Sequence, residues 1–256
     1  MVVLLTGLII GSVWFFYGRS EYQETAASMT SRYIPALRHP LGQASSGTLN
    51  GELQQAGFTL GQPVLLRLYK QESELEVWLM RGGKFEHFKS YPICKWSGQL
   101  GPKLKEGDGQ SPEGFYEVST PQLNPNSRYF LAMNIGFPNA FDRSELRTGS
   151  ALMIHGSCVS IGCYAMTDAG IDDIYKLVEA ALTKNQLSVP IHIFPFRMST
   201  ENLKLHATSP WINFWNNLAE GDNLFQRTGL APRVSACGGR YYFDQAPESC
   251  ERVKSW

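Results

Sequence analysis

The stretch MIHGSCVSIGCYAMTD, residues 153–168, joins an apolar run to a polar helix start and contains one histidine and two cysteines. His155 closes the apolar run, which reads as a short β-strand, and Gly156 lets the chain turn directly after it. Cys163 follows Gly162 and lies shortly before the helix start. The stretch therefore predicts a strand, a loop with a candidate reactive thiol, and a helix, in that order.

The residue types of this loop suit a cysteine nucleophile. A thiol beside a histidine and a helix start has a lowered pKa, and the thiolate is the reactive species. Histidine can take the proton and later return it to a leaving amine. Glycine next to the nucleophile leaves backbone N–H groups open to a developing oxyanion. Cys163 as nucleophile with His155 as its base is therefore the first candidate site.

Three other interpretations of the same residues stay open at the level of sequence. A cysteine and a histidine in one loop are often only buried side chains. His155, Cys158 and Cys163 could also bind zinc, although the set lacks a fourth ligand and C-x-x-C spacing. A disulfide between Cys158 and Cys163 is the third interpretation, and it would block the candidate nucleophile reversibly.

Outward from this loop, the chain predicts a mostly β domain with one main helix, an α+β fold. Residues 167–187 repeat apolar side chains at helical spacing, and Thr167 or Asp168 can cap their start. Shorter helices are predicted around residues 47–58 and at 209–220. The strand-like segments are rich in β-branched and aromatic residues and are separated by Pro and Gly. In chain order they are 64–70, 74–80, 81–91, 114–118, 128–134, 151–156 and 189–196.

Residues 2–17, VVLLTGLIIGSVWFFY, contain no charged side chain. This run is short for a membrane-spanning helix, which needs about 20 residues, but it suits a signal-peptide core or a minimal anchor. A buried core helix is the alternative. The segment predicts a periplasmic protein that is exported or anchored to the inner membrane.

The composition is that of a globular protein. The 256-residue chain has 23 Lys+Arg and 23 Asp+Glu residues, so its formal net charge is zero and gives no basic face for nucleic acid. Hydrophobic residues make up 43% and aromatic residues 12% of the chain, which excludes a disordered composition.

Five cysteines, an odd number, leave at least one thiol unpaired in an exported protein. Cys237 and Cys250 lie in a tail rich in glycine and charged residues. An oxidising compartment favours a disulfide between them. Two free surface thiols are the alternative.

The cysteine loop resembles the signature of the YkuD-type L,D-transpeptidases of bacterial cell walls, which reads H-G, a short gap, then S-H/N-G-C-x-R-M. The matching positions are His155, Gly156, Ser160, Gly162, Cys163 and Met166. The match is closer to the YafK-like branch of the family. Further similar segments are VLLRLYKQESELEVWL, YPICKWSGQLGPKLKEGDGQSPEGFYEV, NIGFPNAFDR and IHIFPFRM, so the resemblance covers nearly the whole chain after its apolar start.

The resemblance implies a YkuD-like β-sandwich or barrel whose main helix follows the catalytic loop. Together with the composition, it divides the chain into a signal peptide or anchor (1–19), a linker with a short helix (20–60), the catalytic domain (61–198) and a helical C-terminal extension packed on that domain (199–256). It implies neither a cofactor nor a metal.

The resemblance also implies a role for the residues of the loop. Cys163 would form a thioester with a peptidoglycan stem peptide, and His155 would act as its base and later as its acid. Ser160 and the backbone around Gly162 would shape the loop and the oxyanion site. Cys158 matches no position of the signature and would be a packed thiol.

Two positions depart from the family pattern. Ile161 replaces the polar residue before Gly162, and Ala165 replaces the arginine two positions after the cysteine. That arginine is associated with substrate binding in the family, so the departure puts ordinary transpeptidase recognition in question.

Five residues are candidates for contact with the substrate: Gly156, Tyr164, Arg197, Arg143 and Lys103. Each of the three cations could replace the missing arginine and bind the diaminopimelate or terminal carboxylate. A solvated surface charge is the alternative interpretation of each cation.

The function that the resemblance implies is attack on the bond after diaminopimelate in peptidoglycan peptides. The YafK-like branch implies hydrolysis of the link between an outer-membrane lipoprotein and peptidoglycan. The alternatives are an L,D-transpeptidase that forms cross-links or attaches the lipoprotein, and a non-catalytic peptidoglycan-binding module. The expected partners are stem peptides, the bound lipoprotein and, through the N-terminal segment, a membrane, but not nucleic acid.

Overall fold

A computed structural model describes residues 47–253, and its mixed architecture confirms the α+β class. The strands are β1 (Val64–Tyr69), β2 (Glu74–Arg81), β3 (Lys84–Lys95), β4 (Gly114–Val118), β5 (Leu123–Ser127), β6 (Phe130–Asn134), β7 (Met153–His155), β8 (Tyr164–Met166), β9 (Val189–Phe194), β10 (Val234–Cys237), β11 (Arg240–Phe243) and β12 (Glu251–Arg252). The α-helices are α1 (Leu49–Gln55), α2 (Ala140–Ser144), α3 (Asp168–Thr183), α4 (Thr200–Leu205) and α5 (Ile212–Thr228).

Nine strands form one sheet in the order β4-β9-β1-β2-β3-β8-β7-β6-β5. The pairs β1/β9 and β7/β8 are parallel, and the other neighbours are antiparallel. Strand β1 is buried along its whole length, as expected for a central strand that is covered on both faces. The long strand β3 pairs with β2 along most of its length and with β8 at its end, so it connects the two halves of the sheet.

Helix α3 begins where the sequence predicts it. Thr167 is the N-cap, and its side-chain oxygen accepts a hydrogen bond from the Gly170 N–H. Side chains at helical spacing, such as Ile171 and Ile174, are buried in the core that the helix shares with the sheet. The helix ends at Thr183, earlier than predicted, and its start lies directly after β8.

Strands β7 and β8 are parallel neighbours that are joined by residues 156–163 alone, a segment called here the cysteine loop. Parallel neighbours are usually joined by a dozen or more residues. Because both strands run in the same direction, the cysteine loop must return along one face of the sheet from the end of β7 to the start of β8. The loop therefore lies over one face of the sheet, with Val159 and Ile161 exposed.

The C-terminal region contains helices, as predicted, and in addition a small sheet. Helix α5 runs to Thr228, beyond the predicted end at residue 220. Strands β10, β11 and β12 form an antiparallel sheet that the sequence does not predict, because none of its strands exceeds four residues. Cys237, the last residue of β10, is bonded to Cys250, which confirms the predicted disulfide.

Helix α5 contributes to the core of the domain. The Trp215 side chain is buried, and its indole N–H donates a hydrogen bond of 2.8 Å to Glu113. Asp222, also on α5, forms a buried ion pair with Arg67 of β1. The helix thus supplies both packing and a counter-charge to the sheet.

The predicted signal peptide or anchor at residues 1–19 lies outside the described residues, as does most of the linker predicted at 20–60. The short helix predicted around residues 47–58 is present as α1. Between residues 47 and 253, no helix combines the length and the apolar character that a bilayer crossing requires.

Candidate active site

Cys163 is the residue directly before β8 and carries the one free thiol in the described part of the chain. Gly162 ahead of it has a φ of 116°, a conformation that glycine adopts without strain. The thiol is partly buried, and its Sγ lies 3.9 Å from the carbonyl oxygen of Ala151. The glycine turn and the start of β8 together fix the position of the candidate nucleophile.

His155 ends β7, and the residue is only 2% exposed. Its Nδ1 lies 2.7 Å from the carbonyl oxygen of Gly156. A carbonyl oxygen only accepts hydrogen bonds, so we assign the proton to Nδ1 and the lone pair to Nε2. The imidazole also packs on Tyr129, with ring centroids 4.7 Å apart. The hydrogen bond fixes the tautomer that a general base needs, and the contact with Tyr129 holds the ring in place.

The strand register brings His155 and Cys163 to adjacent strands. His155 of β7 lies opposite Ala165 of β8. Cys163 directly precedes β8 and is two residues before Ala165. If the alternation of β8 extends to Cys163, its side chain lies on the face that carries His155.

Burial shifts both groups toward their neutral forms. It lowers the pKa of His155. It also raises the pKa of the Cys163 thiol, against smaller lowering effects of the Met153 N–H and of the Lys103 charge. The expectation of a lowered thiol pKa is therefore wrong, because the effect of burial outweighs the lowering effects. The resting pair is a neutral thiol beside a neutral imidazole.

The raised thiol pKa predicts how alkylation of Cys163 depends on pH. Only the thiolate reacts with iodoacetamide, so the midpoint for the native protein should lie at a higher pH than for the same chain unfolded in urea with its disulfides intact. Mass spectrometry after short exposures across the neutral and alkaline range measures both midpoints. A native midpoint at or below that of the unfolded chain would show instead that the thiol is activated at rest.

Three serine hydroxyls hold the backbone of the nucleophile. The hydroxyls of Ser160 and Ser111 both donate to the carbonyl oxygen of Cys163, at 2.7 and 3.0 Å. The hydroxyl of Ser97 lies 2.8 Å from the Ser160 oxygen, which also accepts the Gly162 N–H at 3.2 Å. Ser160 and Gly162 therefore shape the loop, and the Gly162 N–H is engaged rather than open to an oxyanion.

Ser97 and Ser111 are site residues that the sequence does not single out. Ser97 is 63 positions from Ser160, and Ser111 is 52 positions from Cys163. Both belong to the segment between β3 and β4, and no local pattern marks either of them. Only the tertiary fold brings their hydroxyls to the cysteine loop.

Cys158 is bonded to Cys94 of β3, with the two Cα atoms 5.2 Å apart. The expectation of a packed free thiol at Cys158 is therefore wrong. The same bond excludes a disulfide between Cys158 and Cys163, and it removes Cys158 from the possible zinc ligands with His155 and Cys163. No cluster of three potential metal-binding side chains is found between residues 47 and 253. The bond was missed because Cys94 lies 64 positions away and belongs to no motif.

Gly156 and Tyr164 make hydrogen bonds inside the protein, close to the cysteine loop. The Gly156 N–H donates to the carbonyl oxygen of Tyr129 at 3.0 Å, and a Cβ here would lie 2.6 Å from a carboxylate oxygen of Asp168. The Tyr164 hydroxyl donates to the Pro112 carbonyl oxygen at 2.7 Å, and its ring is fully buried. The substrate contact expected of the Tyr164 side chain does not fit this burial.

Of the three candidate cations, Lys103 is the one whose charge acts on the thiol. Arg197 is paired with two carboxylates of β2, each at 2.7 Å, and Arg143 is paired with Glu251. Lys103 is almost fully buried, and its charge lowers the pKa of Cys163 against the larger effect of burial. Lys103 is itself paired with Asp108, so each of the three cations already has a carboxylate partner in the protein.

A thiol at a glycine turn, beside the strand that ends in a histidine with an open Nε2, defines a candidate site for acyl transfer through cysteine. The family model described as the L,D-transpeptidase catalytic domain, YkuD, matches residues 68–193, which include the whole cysteine loop. Together with the relatives below, this match shows that the chain belongs to the YkuD L,D-transpeptidase family.

One curated relative confirms the resemblance to the YafK-like branch. YafK from Escherichia coli (strain K12), which is provisionally named an L,D-transpeptidase, is 48% identical over 202 residues, or 78% of the chain and 81% of YafK. Among solved structures, the K307A mutant of the helical cell shape determining protein Pgp2 from Campylobacter jejuni is 18% identical with a TM-score of 0.44, over 70% of the chain and 63% of Pgp2. Bd1075 from Bdellovibrio bacteriovorus is 16% identical with a TM-score of 0.40, over 75% of the chain and 91% of Bd1075.

Proposed function

We propose that the chain is a cysteine-dependent peptidoglycan enzyme that acts on stem peptides at diaminopimelate through a thioester. The observation that carries this proposal is the free thiol of Cys163, directly before the strand that pairs with the strand of His155, whose Nε2 keeps its lone pair. Membership of the L,D-transpeptidase family supports the substrate class.

The proposed reaction has two halves. In the first, Nε2 of His155 accepts the proton of Cys163 while the sulfur attacks the carbonyl carbon of diaminopimelate. The C–N bond then breaks, the leaving amine takes the proton from the imidazolium, and the acyl group stays on the sulfur. In the second half, water or an amine attacks the thioester, and His155 moves the proton from the attacking group to the departing sulfur. Because the resting pair is neutral, proton transfer accompanies the attack.

Ala165 favours water over an amine in the second half. The family places an arginine at this position, and a guanidinium can hold a carboxylate through two parallel hydrogen bonds. Ala165 is fully buried and offers no such group. An incoming stem peptide would be held less firmly, so water would compete better for the thioester.

We further propose that the hydrolysed bond joins the terminal lysine of an outer-membrane lipoprotein to diaminopimelate, the reaction that the YafK-like branch implies. The substrate lies in the periplasm. The apolar run at residues 2–17 would bring the enzyme there as a signal peptide or an anchor.

Incubation of lipoprotein-bearing peptidoglycan with the protein should release free lipoprotein or its terminal fragment and form few new links between diaminopimelate residues. Mass spectrometry of the soluble and insoluble fractions measures both products, with heat-inactivated protein as the background. Abundant new cross-links with the lipoprotein retained would indicate ordinary L,D-transpeptidation. Binding that leaves the peptidoglycan unchanged would indicate a non-catalytic module.

A further inference from the structure

The disulfide between Cys94 and Cys158 crosses the strand that follows the nucleophile. Its two cysteines come from opposite sides of β8: Cys94 belongs to the neighbouring β3, and Cys158 to the cysteine loop that leaves β7 on the other side. The Cys158 N–H also donates to the carbonyl oxygen of Met166 at 3.3 Å, which ties the loop to the end of β8.

A β-bulge directs Cys94 toward the face that carries the site. Ile93 pairs with Met166 and Lys95 pairs with Ala165, so Cys94 is the extra residue of β3 in this ladder. Bulges re-aim side chains and are frequent next to active sites. Ile93 and Met166 are buried in the core, so Cys94 points to the other face, opposite Ala165.

Ala165 lies next to this bond in the sheet, because Cys94 is the extra residue of β3 at the point where Lys95 pairs with Ala165. Ala165 is fully buried. The position at which the family has an arginine is thus occupied here by a small, buried residue beside the disulfide.

The path of the cysteine loop depends on external restraints. Ser157 and Cys158 have φ values of 67° and 49°, in the left-handed region that residues other than glycine rarely adopt. The Ser157 N–H donates to Asp168 at 2.7 Å, and Cys158 is held by Cys94. Without these anchors the loop would relax to conformations of lower energy, and Cys163 at its end would move with it.

We propose that the Cys94–Cys158 disulfide positions Cys163 for the reaction, in place of the family arginine at the position of Ala165. The inference rests on the proposed cysteine mechanism. Full activity then requires two redox states at once, a disulfide between Cys94 and Cys158 and a free thiol at Cys163. A dithiol reductant would give two protons and two electrons to the bond, form two thiols and become a disulfide itself, and re-oxidation would reverse this step.

The C94S/C158S variant tests the proposal, and C237S/C250S is the matched control because it removes the other disulfide. In C94S/C158S, release of lipoprotein should fall at least about tenfold, since small misplacements of a reacting group cost this much or more. The midpoint of Cys163 alkylation should move to lower pH, since a loosened loop would leave the thiol less buried. Circular dichroism checks the fold, and the control variant should match the wild type in both measurements.

Wild-type release together with an unchanged alkylation midpoint in C94S/C158S would overturn the proposal. Should that variant not fold, the C237S/C250S protein can be titrated with dithiothreitol, and release should fall in step with reduction of the Cys94–Cys158 bond and return on re-oxidation. Constant release across the titration would also overturn it. If the wild-type protein releases no lipoprotein, the result contradicts the proposed function instead. The positioning role of the disulfide is then tested by the alkylation midpoint of Cys163 in C94S/C158S alone.

Discussion

Replacement of Cys163 by alanine should abolish turnover and leave the fold intact. No other free thiol exists among the described residues, so no second sulfur can form the thioester. In a hydrolase that works through an acyl-enzyme, loss of the nucleophile lowers kcat about 10⁶-fold. Release of lipoprotein from peptidoglycan, followed by mass spectrometry, should therefore drop to the level seen without enzyme.

The C237S/C250S variant is a control for this experiment, because it removes two sulfur atoms outside the cysteine loop and should keep the wild-type rate. The melting temperature of Cys163→Ala should stay close to that of the wild type, since the thiol is only partly buried. Measurable turnover by Cys163→Ala would place the nucleophile elsewhere in the chain.

Replacement of His155 by glutamine should lower the rate by at least about 10²-fold, because general acid–base catalysis typically contributes this much. A glutamine amide does not titrate near neutral pH, so it cannot carry the proton of Cys163 to the leaving amine. The loss should appear in kcat under saturating substrate, since His155 acts on the proton rather than on substrate binding.

His87→Gln is the matched control for a change of histidine to glutamine. His87 lies on β3, where its Nε2 is 3.0 Å from the Ser90 hydroxyl at an exposed position, and its replacement should leave the rate unchanged. Because His155 is buried, the melting temperature of His155→Gln must be measured beside its rate. A near-normal rate in a folded His155→Gln protein would mean that another base serves Cys163.

Much of the fold near the site follows from local sequence. Residues 64–70 and 74–80 combine strand-forming side chains with a polar turn between them, and β1 and β2 lie almost at these positions. Helix α3 starts at its predicted cap, because a Thr side chain and an apolar stripe are both local features. Strand β8 is not predicted, because its three residues within the motif are too few to show a strand periodicity.

The candidate site likewise contains residues that local sequence predicts and residues that only the tertiary structure shows. Cys163 and His155 belong to one short motif, so the sequence pairs them directly. The bond from Cys94 and the hydroxyls of Ser97 and Ser111 come from β3 and the segment after it, and only the sheet order brings them close. The direction of the thiol pKa depends on burial, which no local pattern gives.

Two contacts of helix α5 indicate that the matched region does not fold without it. They are the hydrogen bond from Trp215 to Glu113 and the ion pair of Asp222 with Arg67. The family match ends at residue 193, and sequence comparison alone would draw a boundary soon after it. Removing α5 would take away the partners of Arg67 and Glu113 and expose the apolar side chains that pack on Trp215 and Phe225, which would lower stability. The family match therefore ends before the folding unit does. The matched region, moved into another chain, would need helix α5 as well, because Asp222 of α5 is the counter-charge of Arg67.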